Sequence, residues 1–308
     1  MFWYNSAGFV YLMPMHDPIL PLFLAGDSTH FQQAFQWIEH NPISKRIVSY
    51  LLMVHLFHRD KEIRQGARKL FKKYADVRLQ EIIKTTWSGG TYPRKSLHNL
   101  ISESYQIYQQ QLERHPQFDP AEASLLMQLM HRDPTLPIET ITLDFATYLP
   151  DSVILMAPHL KELDFRRSVA QATVGKTIEE CTPRLDIDQV IAQAQKLSRL
   201  LTLNIGWTNV YFELPETILQ LQSLEHLELG DYVTHIPEDF SALENLQTLS
   251  LVGNEKLTRL PAKLPASLQV IDVQHTLLLA AHQDYLRGYQ QRNPRVQLNG
   301  FFFTPPAV

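Results

Sequence analysis

A six-residue pattern, Leu-x-x-Leu-x-Leu, returns along the last third of the chain at a fixed step. Leu224-x-x-Leu227-x-Leu229, Leu246-x-x-Leu249-x-Leu251 and Leu268-x-x-Ile271-x-Val273 begin 22 residues apart. A second unit recurs between them as Leu214-Pro215, Ile236-Pro237 and Leu260-Pro261. One such unit cannot bury its own leucines. A period of this length therefore predicts units stacked side by side in a solenoid, each covering the apolar face of the next. Architectures of this kind usually bind and seldom carry chemistry.

The same template fits further upstream. Ile138-x-x-Ile141-x-Leu143 and Leu160-x-x-Leu163-x-Phe165 lie 22 residues apart, and Leu200-x-x-Leu203-x-Ile205 follows after 40. The long step is one turn with an insertion of about 18 residues, taking the period as yardstick, and residues 166–185 hold it. Asp186 to Leu197 then reads as a helix, with Ile187, Val190, Ile191 and Ala194 on one face. Past the last repeat, Leu277 to Arg292 reads as a helix and Arg295 to Phe303 as a final strand. Together they would cap the open end. Phe301, Phe302 and Phe303 are expected to pack there, with an exposed dimerisation patch as the alternative.

Residues 195–276 resemble the leucine-rich repeat family, in its bacterial type. The resemblance implies a short parallel strand for each L-x-x-L-x-L, with its leucines inward. It also implies an Asn three residues beyond the last strand leucine that bonds backbone between turns. Asn254 holds that place, while Ser168, Thr208, Tyr232 and Thr276 stand there in other turns. Tyr232 cannot make the Asn bonds, so local irregularity is expected near 230–234. Some bacterial members are ubiquitin ligases with a helical catalytic domain after the repeats. Here the helices come first and the sole cysteine, Cys181, lies within the repeats, so that reading fails.

The outward side chains of such strands form columns about 4.8 Å apart. The central column is Thr142, Asp164, Asn204, Glu228, Ser250 and Asp272. One neighbour is Thr140, Glu162, Thr202, His226, Thr248 and Val270. The next is Asp144, Arg166, Gly206, Gly230, Val252 and Gln274, and the fourth is Phe145, Arg167, Trp207, Asp231, Gly253 and His275. The candidate partner-binding set drawn from them is Glu162, Asp164, Arg166, Asn204, Trp207, His226, Glu228, Thr248, Ser250 and Asp272. It is polar and acidic, with Trp207 as a hot-spot type, so it would suit a protein partner bearing a basic patch. Solvated positions on a polar sheet are the bland alternative.

The first half reads as helices. Asp27 and Ser28 suit the N-cap of a helix running to His40, and Asn41-Pro42 ends it. Ile47 to Phe57 suits a buried helix. From Lys61 to Ala75, Ile63, Ala67, Leu70 and Tyr74 form one stripe of helical period, opposite Arg64, Arg68, Lys69, Lys72 and Lys73. Further helices are expected at 78–86, 94–114 and 120–131. The phrase from His58 to Leu70 resembles the second helix of a HEAT-type repeat, though a generic helical bundle fits the pattern equally. The organisation is thus an α/β solenoid with a leucine-rich repeat parallel sheet, preceded by an all-α domain. Its parts are an apolar irregular segment at 1–26, helices at 27–134, the solenoid at 135–276 and a cap at 277–308.

Catalytic signatures are absent from the sequence. No G-x-x-x-x-G-K-[ST], H-E-x-x-H, G-x-S-x-G or C-x-x-C occurs, so no enzyme activity, cofactor or metal is expected. His55 and His58 share a helix face without a third ligand, which favours packing or capping roles. A single cysteine forbids an internal disulfide and points to a reducing, cytoplasmic compartment. No Lys or Arg precedes Lys45, unlike a signal peptide, and Pro14, Pro18 and Pro21 interrupt the early apolar run. That run would pack on the helices, with a lipid or partner contact as the alternative. Charge divides unevenly: residues 1–137 hold 15 Lys+Arg against 12 Asp+Glu, and residues 138–308 hold 13 against 20. The alternative function is therefore nucleic-acid or anionic-surface binding by the basic stretch 59–78 through Arg64, Arg68, Lys72 and Lys73. No aromatic interleaving supports base stacking there, and partner identity and oligomeric state lie beyond the sequence.

Overall fold

The computed structural model describes residues 18–25, 27–77, 79–80, 119–130, 132, 136–143, 146, 148–165, 185–206 and 211–301. The expected helix at 94–114, most of that at 78–86, the insertion at 166–184, Cys181, Arg166, Trp207, Ser168, Thr208, Phe302 and Phe303 lie outside the described residues.

The helical part begins earlier than its sequence suggests. Leu20–Ala25 (α1) is a short helix, where an irregular segment was expected. Pro21 is its second residue, a position where the missing N–H has no intrahelical partner to lose. Ile19, Leu20 and Phe23 are buried in the core of the helices, while residues 1–17 lie outside the described residues. Ser28–His40 (α2) starts at Asp27, whose carboxylate accepts from His30 N at 3.0 Å. Lys45–Phe57 (α3) and Lys61–Tyr74 (α4) form a hairpin. Asp60 caps α4 by accepting from Glu62 N and Ile63 N at 2.8 and 3.4 Å. The predicted stripe Ile63, Ala67 and Leu70 is buried against α3, joined by Phe71. His58 ends α3, its ring nitrogen accepting from Asp60 N at 3.1 Å. Its ring also meets Phe31 edge-on, a capping and packing role.

Pro120–Met130 (α5) joins two hydrophobic cores. Ala123 and Leu126 belong to the core of α1–α4, whereas Ala121 and Leu125 belong to the core beneath the sheet. The sheet has seven strands, all parallel: Thr140–Thr142 (β1), Glu162–Asp164 (β2), Thr202–Ile205 (β3), His226–Leu229 (β5), Thr248–Ser250 (β7), Val270–Asp272 (β8) and Gln297–Asn299 (β9). Each pairs with its successor in this order. Ile141, Leu163, Leu203, Leu227, Leu249, Ile271 and Leu298 face one another strand by strand, and all are buried. The crossovers carry Asp151–Met156 (α6) and Ile187–Ala194 (α7), with a 3₁₀ turn at Glu216–Gln220. The four expected apolar residues of α7 are buried.

Phe212–Glu213 (β4) and Val233–His235 (β6) form a second, two-stranded parallel sheet, which the repeat pattern does not reveal. The expected single helix after the repeats is two, Leu277–Ala281 (α8) and Gln283–Arg292 (α9), because His282 leaves helical geometry. The break serves two packing duties. Leu278 is buried in the core beneath the sheet, while Tyr289 reaches back to donate to Pro261 O at 2.7 Å. The final strand is confined to β9 and extends the sheet instead of only closing it.

Asn254 is fully buried and makes the bonds its position implies. It donates to Leu229 O and Leu251 O, each at 2.8 Å, and accepts from Val233 N at 2.6 Å. Thr276 substitutes within its own turn, donating to Val273 O at 2.7 Å and capping α8. Where Tyr232 replaces Asn, the β4–β6 register shifts, the irregularity expected near 230–234. Substituting Leu249→Ala should cost about 2–5 kcal/mol in urea unfolding. Asn254→Ala should cost about 2–4 kcal/mol, since it strands three buried backbone groups.

Candidate protein-interaction face

The two columns on the strands fall where the period places them. Glu162, Thr202, His226, Thr248 and Val270 are neighbours across the sheet, as are Asp164, Asn204, Glu228, Ser250 and Asp272. Their exposure is unequal. His226 is exposed, and Glu162, Glu228, Thr248, Ser250 and Asp272 are half-buried. Asp164 and Asn204 are only 7% and 2% exposed, so neither offers a free contact surface as expected. Asn204 is committed to the protein itself. Its amide donates to Glu228 Oε2 at 2.5 Å and its oxygen accepts from Gly206 N at 3.0 Å. An amide between two carboxylate positions relieves like-charge repulsion across neighbouring strands.

The two outer columns are corrected where they are described; Asp144, Phe145, Arg166, Arg167 and Trp207 lie outside the described residues. The columns were drawn by continuing strand alternation, but the strands end at Ile205, Leu229, Ser250 and Asp272. Beyond them the chain turns. Asp231, Gly253 and His275 hold equivalent places in three successive turns, with φ of +40, +80 and +55. The fourth column is a left-handed corner there, not part of a flat face. Gly253 is required at its place, because a Cβ would lie 1.9 Å from Asp231 Oδ1.

The basic face of α4 is partly spent on internal contacts. Arg64 donates to His58 O and Arg59 O at 2.7 and 3.0 Å. Lys69 pairs with Glu39 at 3.1 Å, and Lys73 donates to Glu39 O and sits over the Tyr74 ring. Arg68 and Lys72 remain exposed. Burial, followed by the nearby Arg68 charge, holds the His55 imidazole below its ordinary pKa. Among the described residues no group of three His, Cys, Asp or Glu is placed to hold a metal ion, and no helix is long and apolar enough to cross a membrane.

Sequence reasoning missed a buried polar network where the helices meet the sheet units. Glu122 on α5, 0% exposed, pairs with Arg46 Nε at 2.5 Å and accepts from Tyr50 and Ser152 at 2.6 and 2.7 Å. Tyr148 donates to Asp119, whose backbone N–H donates to Ser49 Oγ at 2.5 Å. These residues are scattered over about 100 positions, so no spacing announces them. Burial raises the Glu122 carboxyl above its ordinary range, against the opposing pull of Arg46. Burial and the Glu122 charge push the Tyr50 phenol well up.

No protein-family model matches the chain, and no curated protein matches it. Among solved structures the chain is similar to a leucine-rich repeat protein of Leptospira interrogans, at 16% identity and a TM-score of 0.31. The likeness covers 64% of this chain and 57% of that one, so the chain spans little more than half that protein's length. A likeness so distant carries no argument about activity or partner.

The buried ion pair yields a pH-dependent expectation. Arg46→Met strands the Glu122 carboxylate and should cost about 3–5 kcal/mol at neutral pH. A carboxyl with a raised folded pKa holds its proton more tightly in the folded state, so its ionisation opposes folding as pH rises through that value. Acidification removes the stranded charge. The gap in stability between variant and parent should therefore narrow from pH 7 toward pH 5, measured by urea unfolding at each pH.

Proposed function

We propose that this chain is a non-enzymatic recognition protein. In this reading a leucine-rich repeat solenoid over 135–276 follows a helical, HEAT-like domain over 27–134, residues 277–308 form its cap, and the open polar face of the sheet receives a protein partner. The observation that carries the reading is the unbroken register of the inward leucine column. It turns Glu162, His226, Glu228, Thr248, Ser250 and Asp272 away from the leucine column and sets them in rows on one face. Glu162, Glu228 and Asp272 give that face an acidic character, which favours a partner segment rich in Lys or Arg by steering and complementarity. A reducing, cytoplasmic setting is consistent with a single cysteine.

The test is affinity capture from extract of the source cells, read by quantitative mass spectrometry. The parent is compared with the combined Glu162→Lys, Glu228→Lys, Asp272→Lys variant. Proteins enriched on the parent should fall at least about tenfold on the variant while its melting temperature stays close to the parent's. The same proteins retained at the same level would reject the face. Binding of an anionic polymer by Arg68 and Lys72 is the alternative, since these two cations are exposed and, among the described residues, are not those engaged in the contacts of Arg64, Lys69 and Lys73. A salt-dependent gel shift abolished by Arg68→Glu with Lys72→Glu would put it first.

A further inference from the structure

Past the strand ends the chain brings together two tyrosines and one lysine. Tyr211 immediately precedes β4, and Tyr232 immediately precedes β6. Phe212 N donates to Tyr232 O at 2.9 Å, tying the two segments together. The rings meet edge to face, with centroids 5.1 Å apart and planes at 65°. Tyr211 is 37% exposed, unusually open for so large a ring in this protein. The Lys256 ammonium lies 3.3 Å from the centroid of that ring.

The surroundings are fixed rather than accidental. Lys256 is two residues beyond Asn254, whose three buried bonds anchor the loop. Asp231, directly before Tyr232, is locked at φ +40 and donates its backbone N–H to Val252 O at 3.3 Å. The Asp231 carboxylate turns to Gly253, where a Cβ would lie 1.9 Å from its Oδ1. Aromatic faces are the chemistry that recognises an alkylammonium or guanidinium group.

We infer that Tyr211 and Tyr232 form a receptor for a cationic side chain of the partner, and that Lys256 fills it in the free protein as a built-in competitor. The inference rests on the proposed function for the partner being a protein, and it deepens that reading by giving the partner's basic segment a defined anchor. The cradle lies past the strand ends, apart from the carboxylates of the sheet face. It holds a ligand of the required class already, supplied by the chain itself. An exposed cation–π contact is weak enough for another cation to displace it.

The experiment uses the full chain with isotope-labelled tyrosines, titrated with N-acetyl-lysine methylamide, its trimethylammonium form and the arginine counterpart. Ring resonances of Tyr211 and Tyr232 are followed. With Lys256→Gln, at least one probe should bind about three- to sixfold more tightly than to the parent, as expected on removing a competitor held by one exposed cation–π contact. The probe that gains most identifies the source as a plain lysine, a methylated lysine or an arginine. Adding Tyr211→Leu, which keeps apolar bulk at that place, should abolish the gain. Equal affinity in parent and Lys256→Gln, or no shift in either, overturns the inference. That result leaves the capture experiment on the sheet face untouched, while failed capture with an intact cradle response would reject the sheet face alone.

Discussion

Stacking of apolar side chains between parallel strands is the interaction on which the rest of this protein depends. Leu203, Leu227, Leu249 and Ile271 meet their counterparts on adjacent strands and are closed off from water. Each such residue contributes about 1.5–3 kcal/mol on burial, but only while both neighbours are in place. Register is fixed by this demand, since a one-residue slip would turn every leucine outward. Once register is fixed, the outward residues align without further cost, and a polar face follows from the core.

The same logic makes the ends matter. An unpaired edge strand exposes backbone donors and acceptors and invites aggregation. At β1 the answer is a side-chain imitation of a strand. Gln128 of α5 accepts from Thr142 N at 3.1 Å and donates to Thr142 O, and Arg132 donates to Thr140 O. Gln189 of α7 repeats the device on Leu149, accepting at 2.8 Å and donating at 2.9 Å. At the far end Tyr285 accepts from Leu260 N and Tyr289 donates to Pro261 O. The Arg46–Glu122 network then ties the helices to the segment between β1 and β2. A buried charge pair adds little net stability but fixes a single docking of its parts.

What the sequence disclosed follows from what repeats in it. The strand positions, the central register and the helices over 28–40, 47–57 and 61–74 rest on local periodicity or capping chemistry, the Asn254 bonds on the family resemblance, and the structure has them in place. Features set by single, distant contacts were not legible. Glu122 reads as an ordinary charged residue until Arg46, Tyr50 and Ser152 converge on it. Asn204 reads as a free outward residue until Glu228 and Gly206 claim its amide. The outer columns failed because alternation holds only within a strand, and three or four residues leave no room for four columns. Tyr232 was visible only as a broken Asn position, while its pairing with Tyr211 required the fold.

The register itself is open to a direct chemical measurement. In a Cys181→Ser background, cysteines at 248 and 270 occupy directly facing positions on β7 and β8. Their backbones are about 4.8 Å apart, within the range that a disulfide spans. Cysteines at 248 and 272 share the same face but are offset by two residues, about 8 Å apart and out of reach. Mild oxidation should close the first pair rapidly and leave the second as free thiols, read by mass spectrometry. Preferential closure of the offset pair, or of neither, would contradict the stacked register.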